Sequence, residues 1–205
     1  RKMQTEIAKE LGYYPYVWSA KPGAFQQEFE IENIPVAIVT EKDLEKQEIK
    51  EWAKRFSMAV CNTIVTDKFV RFLEKLIPVA WYIREATNIP DFCRRNPERL
   101  DALRDSKNLV CVSQYAAEAI SKFAKYPPQV IHNCIEDESE MAVDYIPGNS
   151  KKIRFVQFGT IERRKGYDIL IEAYLSMPEK YRAKSEIHFA GGFINSGTAF
   201  ASQLF

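Results

Sequence analysis

The sequence predicts an α/β protein built from parallel sheets, and three features of its pattern indicate this. Short, β-branched and continuously apolar runs recur along the chain, as in strands that are buried on both faces. Helical patterns lie between these runs, and a repeated strand–helix–strand order is typical of parallel α/β layers. One acidic, turn-rich stretch interrupts the alternation. The 205 residues suffice for one large domain or two smaller ones.

Eight runs are predicted to be strands because they are short and rich in Val, Ile and aromatic residues. In chain order they are residues 15–19, 36–40, 59–65, 79–83, 109–113, 129–133, 153–158 and 186–190. Within the last run, His188 is predicted to be a core residue. Six stretches with apolar residues at helical spacing are predicted to be helices. They are residues 2–11, 42–56, 67–77, 97–105, 114–125 and 166–177.

The interrupting stretch, IEDESEMAVDYIPGNS, is too acidic to be buried and ends in turn-forming residues. We therefore predict a first α/β domain over residues 1–135, an interdomain linker over 136–150 and the beginning of a second α/β domain over 151–205. A long surface loop within one domain is the alternative. The elements after residue 151 are too few to cover both faces of a parallel sheet. Either this domain packs against the first in an unusual way or it is incomplete, and we expect it to be incomplete. The N-terminus reads as a helix in progress, so we expect the start of the first domain to be missing.

Composition excludes several classes of function. Lys and Arg total 29 against 28 Asp and Glu, and a net charge of +1 gives no general attraction to nucleic acid. No metal site is predicted, because Cys61, Cys93, Cys111 and Cys134 form no CxxC pair and only two histidines accompany them. Cysteines in apolar runs behave as small hydrophobes, which favours a reducing, cytoplasmic location. The longest strongly apolar run, 76–83, is far shorter than the ~20 residues that span a bilayer.

The stretch FGTIERRKGYDILIEAY, residues 158–174, combines a strand end, a basic loop and an amphipathic helix. Ligand sites of parallel α/β folds lie at the carboxyl ends of strands, which is where this loop stands. Residues 151–166 contain six cationic side chains and one acidic side chain. A phosphate beside Lys165 would meet its ammonium group, unpaired backbone N–H groups and the positive end of the helix dipole. A basic surface loop that only contacts solvent is the alternative.

Glycines mark two strand ends in this region. Gly159 ends the first strand and allows the backbone to approach a ligand closely. Gly191 and Gly192 end the following strand. We interpret the two glycine-containing strand ends as one wall of a ligand-binding cleft.

Four motifs, in this order and spacing, resemble the group 1 glycosyltransferases, the large retaining family with two Rossmann-like domains in the GT-B architecture. They are LVCVSQYAAEAISKF, PPQVIHNCIED, IRFVQFGTIERRKGYDILIEAY and EIHFAGG. The resemblance is most specific over residues 109–193. It implies a nucleotide diphosphate sugar as the donor substrate, bound mainly by the second domain, with neither a cofactor nor a metal.

By this resemblance Lys165 holds the diphosphate and Gly159 forms the turn at the strand end. The family often has Arg directly after that glycine, where this chain has Thr160. We expect Arg163 or Arg164 to supply the missing charge. Fixed cations directed at the charge that develops on the departing diphosphate stabilise the transition state, and one such donor is commonly worth ~3 kcal/mol.

Further cleft candidates lie at other strand ends. Arg84 and Glu85 occupy the place of the family's His-Glu pair, with a simple ion pair as the alternative. Ser113 is a cleft candidate or a helix N-cap, and Asn133 is a cleft residue or a turn former. The family's acidic motif, two glutamates separated by seven residues, does not occur before Phe205. The catalytic residues therefore stay unknown, and we expect this chain alone to be inactive.

The resemblance implies transfer of a sugar of the hexose class from a nucleotide diphosphate sugar to a saccharide or lipid-linked acceptor with retention of configuration. Surface polysaccharide synthesis is the expected setting, in the cytoplasm, with peripheral association at the inner face of the membrane left open. A nucleotide-sugar epimerase and a glycogen-synthase-like enzyme are alternatives with the same fold. A non-catalytic binding or scaffold module is an alternative of a different class.

Overall fold

A computed structural model describes residues 2–23, 25–134 and 152–192, together with residues 200 and 202. The protein is a mixed α/β structure with parallel sheets, as the sequence predicts. The backbone divides into two compact units, Arg1–Glu136 and Asp137–Phe205. The proposed linker, 136–150, lies outside the described residues, so the linker stays a prediction.

The first unit contains two parallel sheets. β1 (Val17–Ser19) pairs with β2 (Val36–Ile38), and a four-stranded sheet follows in the order β3-β4-β5-β6. Its strands are Ala59–Asn62 (β3), Val79–Ile83 (β4), Leu109–Cys111 (β5) and Gln129–Val130 (β6). All neighbouring strands are parallel, so their carboxyl ends lie at one edge of the sheet. Each strand falls within a predicted run.

The helices of the first unit follow the predicted pattern with local differences. They are α1 (Lys2–Glu10), α2 (Phe25–Ile31), α3 (Gln47–Ala53), α4 (Asp67–Leu73), α5 (Ile89–Arg95), α6 (Pro97–Asp105) and α7 (Gln114–Ser121). The helix predicted over 42–56 is instead a 3-10 helix, Glu41–Glu45, followed by α3. Lys46 separates the two because its backbone is extended, with φ −77° and ψ 135°. α2 and α5 were not predicted. α2 buries only Phe29 and so shows little apolar periodicity.

The core of the first unit forms between the four-stranded sheet and its helices. Trp81 and Ile83 of β4 and Cys111 of β5 are fully buried. Burial raises the pKa of the Cys61 thiol to about 12 and that of Cys111 to about 11, so both thiols stay protonated near neutral pH. These cysteines are packed as small hydrophobes.

A buried ion pair connects three helices of this unit. Asp67, at the start of α4, is 1% exposed, and Arg99, in α6, is 9% exposed. The Arg99 Nε atom donates to Asp67 Oδ1 at 2.8 Å, and its Nη1 atom donates to the carbonyl of Phe92 in α5 at 3.0 Å. Asn96 Nδ2 donates to the other carboxylate oxygen at 3.3 Å. Each of the two buried charges is therefore neutralised by the other.

Over residues 152–192 the second unit is built on one parallel pair of strands, β7 (Ile153–Phe158) and β8 (Ser185–Ala190). The helices of this range are α8 (Tyr167–Ser176) and α9 (Glu179–Arg182), and a 3-10 helix spans Arg163–Lys165. The register places Ile153 opposite Ser185 and Phe158 opposite Ala190, so the carboxyl ends of both strands coincide. Ile161, Tyr167 and Phe200 form a small buried cluster, and Phe189 packs against it.

Apolar side chains of β7 are exposed on both faces of the pair. Ile153 is 66% exposed, and Val156 and Phe158, which point to the opposite face, are 56% and 82% exposed. His188 of β8 is also exposed, at 48% of its side chain, with Nε2 3.2 Å from Glu186 Oε1. The prediction of a core histidine is therefore wrong, because the part of the sheet that bears His188 is not covered.

Candidate functional site

The carboxyl ends of β7 and β8 meet in a close backbone contact. The Gly159 amide donates to the carbonyl of Ala190 at 2.9 Å, and the Ile161 amide donates to that of Gly192 at 3.0 Å. Gly159 has a φ of 128°, which residues with a side chain rarely adopt. A Cβ atom on Gly191 would lie 1.8 Å from the Gly159 carbonyl oxygen. Glycine is therefore required at these two strand ends, which we call the strand-tip site.

The three cations of the sequence motif form a compact turn beside this site. Arg163–Lys165 is a 3-10 helix, and we call it the basic turn. The Lys165 amide donates to the Glu162 carbonyl at 3.0 Å. Gly166, with a φ of 72°, joins the turn to α8. Thr160, partly exposed, lies between the strand end and the turn.

The three cationic side chains of the basic turn differ in the contacts that they already make. The guanidinium of Arg163 lies 5.7 Å from the centre of the Phe200 ring. The guanidinium of Arg164 pairs with the carboxylate of Glu162. The Lys165 side chain is exposed, and no partner for its ammonium group is found in the part of the chain that the structure describes. An anion could therefore bind to Lys165 without displacing any contact of its ammonium group with the described residues.

The N-terminus of α8 contributes less than the sequence suggests. The carboxylate of Asp168, in the first turn, accepts the amide of Ile169 at 3.1 Å. This contact satisfies one of the helix's unpaired donors and places a negative charge at the positive end of its dipole. An anion at this site would therefore gain less from the N-terminus of α8 than from the basic turn.

Two side chains that the sequence analysis missed fasten the basic turn to the strand-tip site. Gln157 Nε2 donates to the Lys165 carbonyl at 2.6 Å. The hydroxyl of Tyr167, a fully buried residue, donates to the Gly159 carbonyl at 2.8 Å. The sequence places Tyr167 on the apolar face of a helix but carries no signal for the partner of its hydroxyl group.

At the carboxyl edge of the four-stranded sheet, Arg84 and Glu85 follow β4. Glu85 Oε2 accepts the amide of Ile64 at 3.0 Å and that of Arg84 at 3.1 Å. Among the described residues no ion pair joins the two side chains, so the Glu85 carboxylate holds the backbone while the Arg84 side chain is exposed.

Two residues at this edge were not predicted. Tyr82 donates its hydroxyl to Asn133 Oδ1 at 3.0 Å, which fixes the cleft candidate that follows β6. Thr63, after β3, has a φ of 76°, and its carbonyl accepts Trp81 Nε1 at 2.9 Å. A non-glycine residue in this conformation is strained, and such strain is often found at functional sites.

Ser113 caps α7, since its Oγ atom accepts the amide of Ala116 at 3.2 Å. Replacing Ser113 with Ala should lower the free energy of unfolding by ~1 kcal/mol, because that amide loses its partner. Urea denaturation measures the change, and Ser113→Asp, which can still cap, should retain most of the stability. Equal losses of stability in Ser113→Ala and Ser113→Asp would argue against a capping role of the Ser113 side chain.

Comparison with known proteins assigns no family to the chain. No protein-family model matches it, and no curated protein matches it at a significant level. Within the described ranges, no group of three or more His, Cys, Asp and Glu side chains is arranged to hold a metal ion. Among the helices of those same ranges, none is long and apolar enough to cross a membrane. The function is therefore inferred from the residues at the carboxyl ends of the strands, described for each unit by itself.

Proposed function

We propose that the strand-tip site binds the diphosphate of a nucleotide sugar and that the protein acts as a retaining glycosyltransferase of GT-B architecture. The observation that carries this proposal is the exposed Lys165 ammonium, which has no partner among the described residues. It lies on a turn that Gln157 holds to β7, next to the strand end at Gly159 that Tyr167 holds. The resemblance of the four sequence motifs to group 1 glycosyltransferases supports the same assignment.

The chemistry explains why these groups suit that role. Breaking the bond between sugar and phosphate leaves a nucleoside diphosphate on which negative charge grows. In this proposal Lys165 neutralises that charge directly, and fixed donors of this kind act without reorganising during the reaction. Arg164 can add a second positive charge if its carboxylate partner Glu162 releases it. Because that pair is exposed, its exchange for a phosphate costs little.

The first unit supplies the acceptor contacts in this proposal. Its carboxyl edge carries the exposed Arg84 and the Asn133 amide group held by Tyr82, both suited to the hydroxyl groups of a saccharide. A lipid-linked saccharide would present the same hydroxyl groups, and it would bring the protein to the membrane surface. Surface polysaccharide synthesis is the setting that we propose.

One observation favours a second candidate, a non-catalytic binding module. Glu85 stands where the family has a glutamate beside a histidine, yet its Oε2 atom already accepts two backbone amides. A carboxylate used in this way contributes to structure rather than to chemistry. An epimerase or a glycogen-synthase-like enzyme would use the same diphosphate site, so the strand-tip site does not distinguish them from the transferase.

Lys165→Ala should weaken the binding of UDP or GDP by tenfold to a hundredfold, which corresponds to roughly 1.4 to 2.8 kcal/mol. The expected cause is the loss of a charge-assisted contact with the diphosphate. Titration calorimetry measures both nucleotides on the wild-type chain and the variant.

The matched control is Lys184→Ala. Lys184 immediately precedes β8 and so lies at the end of the strand pair opposite the strand-tip site, and its replacement removes the same charge. We expect Lys184→Ala to change the affinity for UDP or GDP less than twofold. Equal affinities of the wild-type chain and Lys165→Ala would overturn the diphosphate assignment.

A further inference from the structure

We propose that Tyr167 and Gln157 are positioning residues that hold the basic turn in its anion-binding geometry. This inference rests on the proposed function, since it concerns the same diphosphate site. Neither side chain is assigned a contact with the ligand. Each acts through a hydrogen bond to the backbone of the residues that form the site.

The Tyr167 bond fixes the strand end. Its ring is fully buried and lies edge-on to Phe189, with 5.2 Å between the ring centres. The ring therefore cannot follow a moving loop, and its hydroxyl holds the Gly159 carbonyl at 2.8 Å. This is the same carbonyl that lies against Gly191. The bond keeps the Gly159 backbone in the conformation that only glycine readily adopts.

The Gln157 bond fixes the other end of the loop. Gln157 lies in β7, whose backbone pairs with β8 along its whole length. Its amide nitrogen donates to the Lys165 carbonyl at 2.6 Å, so the backbone that bears the cation is joined directly to the sheet. The donors of the two bonds lie on opposite sides of the turn. Gln157 in the strand donates to the turn, and Tyr167 in the helix after the turn donates to the strand end.

Together the two bonds close the loop between Gly159 and Gly166 at both ends. A cation on a loosely held loop must lose conformational freedom when it binds an anion, and that loss reduces affinity. A cation whose backbone is already fixed binds without this cost, and fixed charges also serve catalysis best. Loosening either bond should therefore weaken diphosphate binding although Lys165 itself is retained.

Tyr174 provides a closely matched control. It lies on the same helix, α8, and its hydroxyl donates to the Ser185 carbonyl at 2.9 Å. This bond also joins a tyrosine hydroxyl to a strand backbone, but at the start of β8 rather than at its carboxyl end. Tyr167→Phe and Tyr174→Phe each remove one hydroxyl group and keep the ring. Their comparison separates the positioning of the site from general stability.

The experiment measures urea stability and UDP affinity of Tyr167→Phe, Tyr174→Phe and Lys165→Ala, all in the 205-residue chain. We expect similar losses of stability in the two tyrosine variants. Tyr167→Phe should weaken UDP binding at least fivefold, whereas Tyr174→Phe should change it less than twofold. In the Lys165→Ala background Tyr167→Phe should have little further effect, because both changes remove the same contact.

Gln157→Leu is the second test, and it keeps the inference falsifiable if Tyr167→Phe fails to fold. It removes the donor, keeps a similar volume and should weaken UDP binding at least threefold. Equal UDP affinities of Tyr167→Phe and Tyr174→Phe, or wild-type affinity in Gln157→Leu, would overturn the positioning role if Lys165→Ala still weakens binding. Unchanged affinity in Lys165→Ala would instead overturn the proposed function.

Discussion

Replacing Gly191 with alanine should separate the two strand ends of the second unit and abolish UDP binding. The new methyl carbon would lie 1.8 Å from the Gly159 carbonyl oxygen and 2.8 Å from its carbonyl carbon. Both are backbone atoms of a residue that is hydrogen-bonded to Ala190 and to Tyr167, so no flexible side chain can move aside. Overpacking of this kind costs ~3 kcal/mol or more.

The neighbouring glycine is the matched control. A Cβ atom on Gly192 would have no atom within 4 Å. Gly192→Ala should therefore change the free energy of unfolding by less than ~1 kcal/mol. Urea denaturation of both variants, followed by UDP titration, checks the difference. If Gly191→Ala were as stable as Gly192→Ala, the close approach of the strand ends would be refuted.

Asp67→Ala should lower the free energy of unfolding of the first unit by ~3–5 kcal/mol. The change leaves the guanidinium of Arg99 buried without its carboxylate, and it removes the acceptor of Asn96. Because the pair connects α4 to α6, and Arg99 also holds the Phe92 carbonyl of α5, loss of one partner affects the contacts among all three helices.

An exposed ion pair of the same type gives the comparison. Asp91, in the first turn of α5, pairs with Arg94 at 2.6 Å, and both side chains are more than half exposed. Asp91→Ala should cost at most ~1 kcal/mol. The double variant Asp67→Ala with Arg99→Met should recover part of the lost stability, because no buried charge remains unpaired. Similar urea midpoints for Asp67→Ala and Asp91→Ala would contradict the expectation that loss of the buried ion pair destabilises the protein more than loss of the exposed one.

The strands were predictable because each depends on a local apolar pattern. β4 was predicted at Val79–Ile83, where Val79, Trp81 and Ile83 are buried in the core. Helix limits were less predictable, since backbone geometry at single residues decides them. The extended conformation of Lys46, for example, divides a segment whose apolar spacing alone favours one continuous helix.

The contacts that shape the candidate site were not predictable, because they join residues that are distant in sequence or depend on exact backbone geometry. The same holds for the core of the first unit, where Asp67 and Arg99 are 32 positions apart and each reads separately as an ordinary surface charge. The glycines at 159 and 191 were identified, but their mutual approach depends on the register of two strands. The sequence also places three cations together without showing that only Lys165 lacks a partner among the described residues.

In our proposal the diphosphate binds at the strand-tip site of the second unit. Titration of the ¹⁵N-labelled chain with UDP, followed by amide NMR spectra, tests it residue by residue. We expect the amides of Gly159, Thr160, Lys165 and Gly166 to shift with UDP and to stay unchanged with uridine, which lacks the diphosphate. UDP-induced shifts confined to the first unit, or identical responses to UDP and uridine, would contradict the claim.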